Sequence, residues 1–210
     1  LIKREVLWAS KYFAGSLWTT TITGVSSNPS GAQALQWNDA SSTPIEDIRA
    51  GKNTVLESTG FEPNTLTLGK HTYDDLVDHP DIIDRVKYGQ TPGAPATVNK
   101  EALAALFEVD RVLVSKAIKN TAAEGQTASH SFIAGKHALL SYSAPEPGIE
   151  VASAGYTFSW RGYMGAAATG HRIKKFRLER NECDRVEIQM AVDHKLVSAD
   201  LGYFFSGIVA

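Results

Sequence analysis

Alternating hydrophobic and polar positions near the C-terminus form the clearest pattern in the chain. Val186 and Ile188 alternate with Arg185, Glu187 and Gln189. This period of two is typical of a strand that is buried on one face. The last stretch, 201–209, is apolar almost throughout, and such a strand is normally held inside a sheet because a free one would expose it to other chains. We therefore expect strands from residue 171 onward, and a partner for the last strand far back in the sequence.

The N-terminal pattern is helical from the first residue. Residues 1–13 read as a helix already under way, with neither an initiator Met nor a capping residue ahead of it. We therefore expect the N-terminal portion of the protein to lie outside this sequence. Residues 15–42 are rich in Ser, Thr, Gly and Asn, and they predict a long connection that Trp18 and Trp37 anchor.

The middle of the chain predicts short helices between short strands. A capping box at Thr43–Glu46, with proline at the first helical position, opens a helix that runs to about Ser58 and stops at Gly60. Further helices are predicted over 71–78, 81–87 and 99–107, strands over 65–68, 112–114, 132–142 and 156–160, and polar loops over 89–95 and 120–129. Helices gather in the middle and strands toward the end, without regular βαβ alternation, which indicates the α+β class.

Composition narrows the function classes. The chain has 210 residues, a formal net charge of −2 and one cysteine, Cys183. No global basic field therefore draws the chain to nucleic acid or to a membrane, and no internal disulfide framework can form. No apolar run approaches the roughly 20 residues that span a bilayer.

One helix carries a candidate metal motif. His71, Asp75, Asp78 and His79 share one side of the predicted helix, and imidazole and carboxylate groups at this spacing can bind a divalent metal. The alternative is that they form the solvated back of a helix whose buried stripe is Tyr73, Leu76 and Val77. The interpretation that remains open here is a small metal-dependent enzyme that uses His71, Asp75 and His79.

The other motifs that could indicate phosphate binding or catalysis are incomplete. The pairs Gly51-Lys52, Gly69-Lys70 and Gly135-Lys136 lack the earlier glycine that a phosphate-binding loop requires. There is no nucleophile elbow, and Cys183 lies between two acids that disfavour a thiolate. We expect no catalytic residue, no cofactor and no bound metal, and therefore no enzyme. The dense basic run over 172–185 is interleaved with acids, and this mixture suits a surface that meets a complementary copy of itself.

Taken in order, the predicted elements resemble the major capsid protein of tailed bacteriophages, the Hong Kong 97 fold. Lys3 to Gly15 resembles the end of the long spine helix, and Pro44 to Ser58 resembles the helix that enters the axial (A) domain. The segments that carry the rest of the resemblance are Pro63–Gly69 with Tyr73, Leu76 and Pro80–Ile82, then Phe107–Val109 leading into Val112–Val114, and the closing strands His171–Val209.

The resemblance implies a split domain. Residues 1–42 would be the end of the spine helix and the first part of the peripheral (P) domain, 43–160 the inserted A domain, and 161–210 the second part of the P domain. Residues 171–210 would then pack beside the spine helix that ends near Phe13. The N-terminal arm and the extended (E) loop of the family would lie outside this chain.

The resemblance also implies a function. The chain would be a head subunit that self-assembles, as pentamers and hexamers, into the icosahedral shell around phage double-stranded DNA, which it contacts non-specifically. Scaffolding, portal and decoration proteins are further implied partners, and no membrane is involved. The protein would be located in the virion capsid, assembled in the cytoplasm of the bacterial host. The alternative within the fold is an encapsulin-like shell that encloses a protein cargo.

Two segments are the predicted subunit contacts. The polar loop 119–130 would lie at the A-domain tip near the capsomer axis, and the charged turn 179–185 would lie where three capsomers meet. The candidate contact residues are Asn120, Glu124, Gln126, Glu179, Arg180, Glu182, Asp184 and Arg185.

Overall fold

Short helices and short strands make up the fold, as the α+β class predicts. The computed structural model describes residues 2–88, 98–160, 162 and 171–210. The helices are Ile2–Ala9 (α1), Pro44–Thr59 (α2), Lys70–Asp78 (α3), Pro80–Tyr88 (α4) and Lys100–Phe107 (α5). The strands are Thr20–Val25 (β1), Gln33–Leu35 (β2), Thr65–Gly69 (β3), Arg111–Ser115 (β4), Ile118–Asn120 (β5), His130–Phe132 (β6), Ala138–Ser141 (β7), Gly155–Ser159 (β8), His171–Leu178 (β9), Cys183–Met190 (β10), Val192–Leu196 (β11) and Gly202–Ser206 (β12).

A mixed six-stranded sheet is the centre of the fold, in the order β2-β1-β12-β7-β3-β4. Strand β1 is parallel to both β2 and β12, β7 is antiparallel to β12 and β3, and β3 is parallel to β4. Three further antiparallel pairs, β9–β10, β8–β11 and β5–β6, stand outside this sheet.

The C-terminal strand is held inside the sheet, as its sequence predicts. Tyr203 pairs with Thr20 on one side of β12 and with Leu140 on the other. A partner therefore does lie far back in the sequence, in the segment predicted to be a loop. Both neighbours cover the polar backbone of an apolar strand, so β12 has no free edge.

One face of the sheet packs against helices and contains the larger core. Leu66, Leu140 and Phe205 point to this face and are at most 1% exposed. They meet apolar side chains of α2, α3, α4 and α5, among them Ile48, Leu76, Ile82 and Leu103. The opposite face is covered over β12 and β7 by a smaller cluster that includes Trp18, Leu139 and Phe204. Gly202 allows this packing, because a Cβ there would lie 2.2 Å from the Trp18 ring.

The helix ends differ from one another in how they are capped. Gly60 ends α2 in the left-handed conformation (φ 77°), and the Asn99 side chain caps α5 by accepting a hydrogen bond from the Ala102 amide at 2.8 Å. Both ends agree with the sequence. The capping box at Thr43 is wrong, because the Thr43 side chain makes no capping bond. Proline at the first helical position leaves the first turn of α2 with one amide fewer that needs a partner outside the helix.

Two strand predictions also need correction. The connection over 15–42 contains β1 and β2, although Trp18 and Trp37 are both buried as expected. The single strand predicted over 132–142 is two, β6 and β7, because the chain turns at 133–137, where His137 donates its amide to the Ala134 carbonyl. The predicted loop 89–95 lies outside the described residues.

The six-stranded sheet takes strands from all three of the predicted segments. Strands β1 and β2 come from 1–42, β3, β4 and β7 from 43–160, and β12 from 161–210. The C-terminal strand, expected among the peripheral strands, thus shares a sheet with the strands of the middle segment. The contact expected beside the N-terminal helix is present, since the Trp8 ring lies 5.0 Å from the ring of His194 in β11. The division into A and P domains stays a prediction.

Candidate contact surfaces

Strands β9 and β10 form a two-stranded ribbon, which contains most of the charged contact candidates. The pairing runs from Cys183 opposite Leu178 to Met190 opposite His171. Both strands are exposed along most of their length. The sequence predicts that β10 is half-buried, and this is wrong within one subunit, because Val186 and Ile188 are 57% and 56% exposed. The alternation is real, but nothing within the described part of this chain covers the apolar face.

The two faces of the ribbon differ in chemistry. Residues directly opposite each other in an antiparallel pair share a face. Ile173 and Ile188 therefore lie together, with Val186 and Lys175 as the next pair on the same face. The other face carries the pairs Lys174–Glu187 and Phe176–Arg185. We call the exposed side chains of Ile173, Val186 and Ile188 the aliphatic face.

The turn of the ribbon contains the five charged candidates. Glu182 takes the left-handed conformation (φ 48°) that closes the turn. Asp184 is paired with Arg177 at 3.4 Å, and Arg185 with Glu187 at 2.7 Å. All five candidates, Glu179, Arg180, Glu182, Asp184 and Arg185, are exposed. Since exposed pairs contribute only about 0–1 kcal/mol to folding, the fold does not require these charges.

The remaining three candidates lie on the hairpin of β5 and β6. Asn120 holds the loop that joins these strands, because its side-chain oxygen accepts hydrogen bonds from the Ala122 and Ser129 amides at 3.0 and 3.1 Å. Glu124 and Gln126 are exposed in that loop. The hairpin therefore exposes Glu124 and Gln126 to solvent, whereas Asn120 has a structural role. The two candidate sets lie on different hairpins.

A cleft of about 670 Å³ opens at the base of this hairpin. His71, His130 and Lys136 line it together with His137, whose Nδ1 accepts a hydrogen bond from the Gly207 amide at 3.0 Å. Burial lowers the pKa of His137, so this imidazole stays neutral. Another histidine, His194, lies beside Trp8, and its Nδ1 is 2.9 Å from the Thr157 hydroxyl.

The residues proposed for a metal site do not converge. His79 is buried, and its Nε2 lies 3.1 Å from the Ser42 hydroxyl while its Nδ1 accepts the Asp81 amide. His71 packs edge-on against Phe132 instead. Burial raises the pKa of Asp75. Among the described residues no three His, Cys, Asp or Glu side chains form a group that could hold a metal ion. Leu76 is fully buried, as the amphipathic reading of this helix requires.

The sequence reasoning missed a second apolar surface, on β8. Tyr156 and Phe158 lie on one side of the strand, with ring centres 6.2 Å apart, and Trp160 follows at the same spacing. Phe158 is 54% exposed and Trp160 67%. We call Tyr156, Phe158 and Trp160 the aromatic stripe. Its period of two was visible in the sequence, but the same pattern also describes a strand buried on one face.

The family of the chain follows from its sequence. The profile of the phage major capsid protein E family matches residues 27–153, and the chain belongs to this family. The chain is also 28% identical over 174 residues to the major capsid protein of Burkholderia phage BcepMu. That match covers 80% of this chain and 52% of the BcepMu protein, so the chain spans about half the length of this relative.

One solved structure shares the fold. A crystal structure of a phage-related protein from Bordetella bronchiseptica RB50 superposes with a TM-score of 0.75 at 22% identity, over 96% of this chain and 61% of that one. A crystal structure of a prophage capsid protein from E. coli CFT073 gives a TM-score of 0.49 at 13% identity, over 83% of this chain and 50% of that chain.

No helix in the described ranges is long and apolar enough to cross a membrane.

Proposed function

We propose that this protein is a shell subunit of a phage head, which acts by assembling with many copies of itself. The observation that carries this proposal is membership of the major capsid protein E family. The exposed ribbon supports it, because a monomer rarely leaves an apolar strand face uncovered, whereas a subunit covers it in the assembly.

The proposed architecture is the Hong Kong 97 fold. Residues 43–160 would form the A domain, inserted between the two parts of the P domain, 1–42 and 161–210. The likeness in fold to the Bordetella protein over nearly the whole chain supports a phage-related fold of this kind. The contacts of Trp8 and Phe13 with His194 and Phe204 support the pairing of the two chain ends.

The proposed contacts lie on the two hairpins. The turn 179–185 would meet neighbouring capsomers through Glu179, Arg180, Glu182, Asp184 and Arg185, and the loop 119–130 would face the capsomer axis with Glu124 and Gln126. Because the charges on the turn have mixed signs, opposite charges on two copies can be matched in register, which gives specificity more than affinity. Asn120 would keep the loop in shape.

A double charge reversal tests this assignment. We expect Arg180→Glu with Arg185→Glu to fold normally and to fail to assemble, since both side chains are exposed in the subunit. Sedimentation velocity would then report small species where the parent protein forms large ones. Reversal of Arg49 and Lys100, which are also exposed but lie on α2 and α5, outside both hairpins, changes the charge by the same amount and serves as the control. Normal heads from the Arg180 and Arg185 variant would contradict the assignment of these contacts.

The molecules enclosed in purified particles show whether the shell holds DNA or a protein cargo. The proposal places the protein in the virion, around double-stranded DNA, after assembly in the host cytoplasm, with scaffolding, portal and decoration proteins as further partners. Nuclease-protected DNA inside particles purified from phage-producing cells is the expected result. Particles that enclose a protein cargo and no DNA would instead indicate an encapsulin-like compartment.

A further inference from the structure

Two apolar surfaces of one subunit are exposed, one aliphatic and one aromatic. The aliphatic face presents the branched side chains of Ile173, Val186 and Ile188, which are 56–59% exposed. Beside the aromatic stripe, a groove of about 300 Å³ is lined by Phe158, Trp160 and Val192. When aliphatic side chains enter a groove lined by aromatic rings, a few of the contacts can supply most of the binding energy.

The charges next to these surfaces also match. Lys175 lies on the aliphatic face, directly opposite Val186 rather than an acid. Asp193 lies directly opposite Phe158, on the face of the aromatic stripe, and lines the same groove. Its side chain is 43% exposed and is paired with Lys195 at 3.2 Å, and an exposed pair of this kind is weak enough to exchange one cation for another. If the two surfaces meet, Lys175 of one copy reaches the acid beside the stripe of the next copy. Contact between the aliphatic faces of two copies would instead bring two Lys175 side chains into one patch, and like charges there are unfavourable.

We propose that the aliphatic face of one subunit docks on the aromatic stripe of a second copy of this chain. The contact is heterologous, since different surfaces of the two copies meet, and repetition of such a contact closes a ring when the rotation allows it. One contact of this kind covers both surfaces, whereas contact between two aliphatic faces leaves the stripe in water. This inference rests on the proposed function and names the surfaces through which neighbouring subunits touch.

Cross-linking between introduced cysteines tests the pairing. In a Cys183→Ser background, Phe158→Cys with Ile188→Cys places one thiol on each surface, and a short bis-maleimide is added to the assembled protein. A heterologous contact links each subunit to two neighbours, so we expect a ladder of dimers, trimers and larger species on a denaturing gel. Each single cysteine variant should stay monomeric on that gel. Leu56→Cys with Ile188→Cys is the control, because Leu56 is 41% exposed on α2, away from the stripe.

The outcomes separate this inference from the proposed function. Dimers from Ile188→Cys alone would show contact between two aliphatic faces and would overturn the inference. So would assembled particles without a ladder, or an equal ladder from the Leu56 control, while the shell function stands in all three cases. A protein that never assembles would overturn the proposed function and the inference together.

A mixing experiment gives an independent readout. Ile188→Asp blocks the aliphatic face and Phe158→Asp blocks the stripe, and each variant alone should lose assembly while keeping the parent thermal midpoint. The Ile188→Asp variant keeps an intact aromatic stripe, and the Phe158→Asp variant keeps an intact aliphatic face. These two surfaces can still meet, so a mixture of the two variants should give one-to-one dimers in sedimentation velocity. A mixture that stays monomeric, or a single variant that assembles like the parent, would overturn the proposed contact.

Discussion

At the scale of single residues, buried polar side chains hold this fold by bonding to backbone groups. Lys52 in α2 is the clearest case, with a side chain only 6% exposed. Its ammonium group donates to the Phe107 and Glu108 carbonyls at 3.3 and 2.7 Å, which caps the C-terminus of α5, and it pairs with Glu62 at 2.8 Å. A cation at this position satisfies helix carbonyls and also complements the helix dipole.

Lys52→Met should therefore destabilise the subunit. Two carbonyl groups lose their donor and Glu62 loses its partner, so the free energy of unfolding should fall by about 2–4 kcal/mol. Arg49→Met, on the exposed side of the same helix, is the matched control and should change it by less than about 0.5 kcal/mol. Urea unfolding measures both. Equal effects of the two substitutions would contradict the capping role of Lys52.

The pKa of His137 predicts how the free energy of unfolding responds to acid. Burial lowers its pKa in the folded protein, while the unfolded chain keeps the ordinary value of 6.5. As pH falls from 6.5 toward the lowered pKa, the unfolded state binds more protons, so acid costs stability in that window and not above it. His137→Asn keeps an acceptor for the Gly207 amide but cannot titrate, so the variant should lose less stability between about pH 7.5 and about pH 5.

Thermal midpoints at several pH values measure this effect. His130→Asn is the control, because His130 is exposed, and it should keep the pH dependence of the parent protein. If the His137 variant followed the same pH curve as the parent, the half-buried imidazole of His137 would not be a source of the acid sensitivity.

At the scale of elements, two strand types with similar sequence patterns have opposite environments. Strand β12 is central and buried, whereas β8 and the ribbon carry large apolar side chains in solvent. Phe205→Ala should cost about 3–5 kcal/mol, since Phe205 is 1% exposed and the change leaves a cavity. Phe158→Ala should cost less than about 1 kcal/mol, since Phe158 is 54% exposed.

The same substitution at these two positions separates folding from assembly. Chemical denaturation reports the folding cost of each, and sedimentation velocity reports assembly. We expect Phe158→Ala to leave the subunit folded and to weaken its assembly. A large loss of stability at Phe158 would indicate that the stripe belongs to the core of the subunit.

The sequence predicts elements well where the signals are local. The αL glycine at Gly60, the Asn99 cap and the apolar β12 all mark their elements correctly, because each signal depends only on neighbouring residues. The exposure of β10 in the subunit could not be predicted from neighbouring residues. Val186 and Ile188 alternate as in any half-buried strand, but nothing within the described part of the subunit covers them. Strand β1 was missed because its Thr and Gly residues resemble those of a connection.

At the scale of the whole molecule, the charges of the ribbon turn and the exposed apolar side chains lie where folding does not need them. Charged candidates occupy the turn of the ribbon, the aliphatic face occupies one side of the ribbon, and the aromatic stripe lies on β8. The order of the elements was enough to predict the capsid family, which the family profile confirms. The contact residues remain proposals, because contacts between copies depend on how whole subunits meet and not on the local sequence.

Salt dependence separates the two kinds of contact in the assembly. Charge matching at the turn of the ribbon is screened by salt, whereas apolar burial between the aliphatic face and the aromatic stripe is not weakened in the same way. We expect the assembly rate of the parent protein to fall as sodium chloride rises. The residual rate at high salt should depend on Ile188 and Phe158, which light scattering with the Asp variants measures. An assembly rate that does not respond to salt would contradict the role of the charged turn.

Negative-stain imaging of the expressed full-length protein tests the central claim most directly. A head subunit should form closed shells of uniform size, because its uncovered surfaces are satisfied only when copies surround one another. Small monodisperse particles that stay the same over a wide range of protein concentration would contradict the proposal that this protein builds a capsid shell.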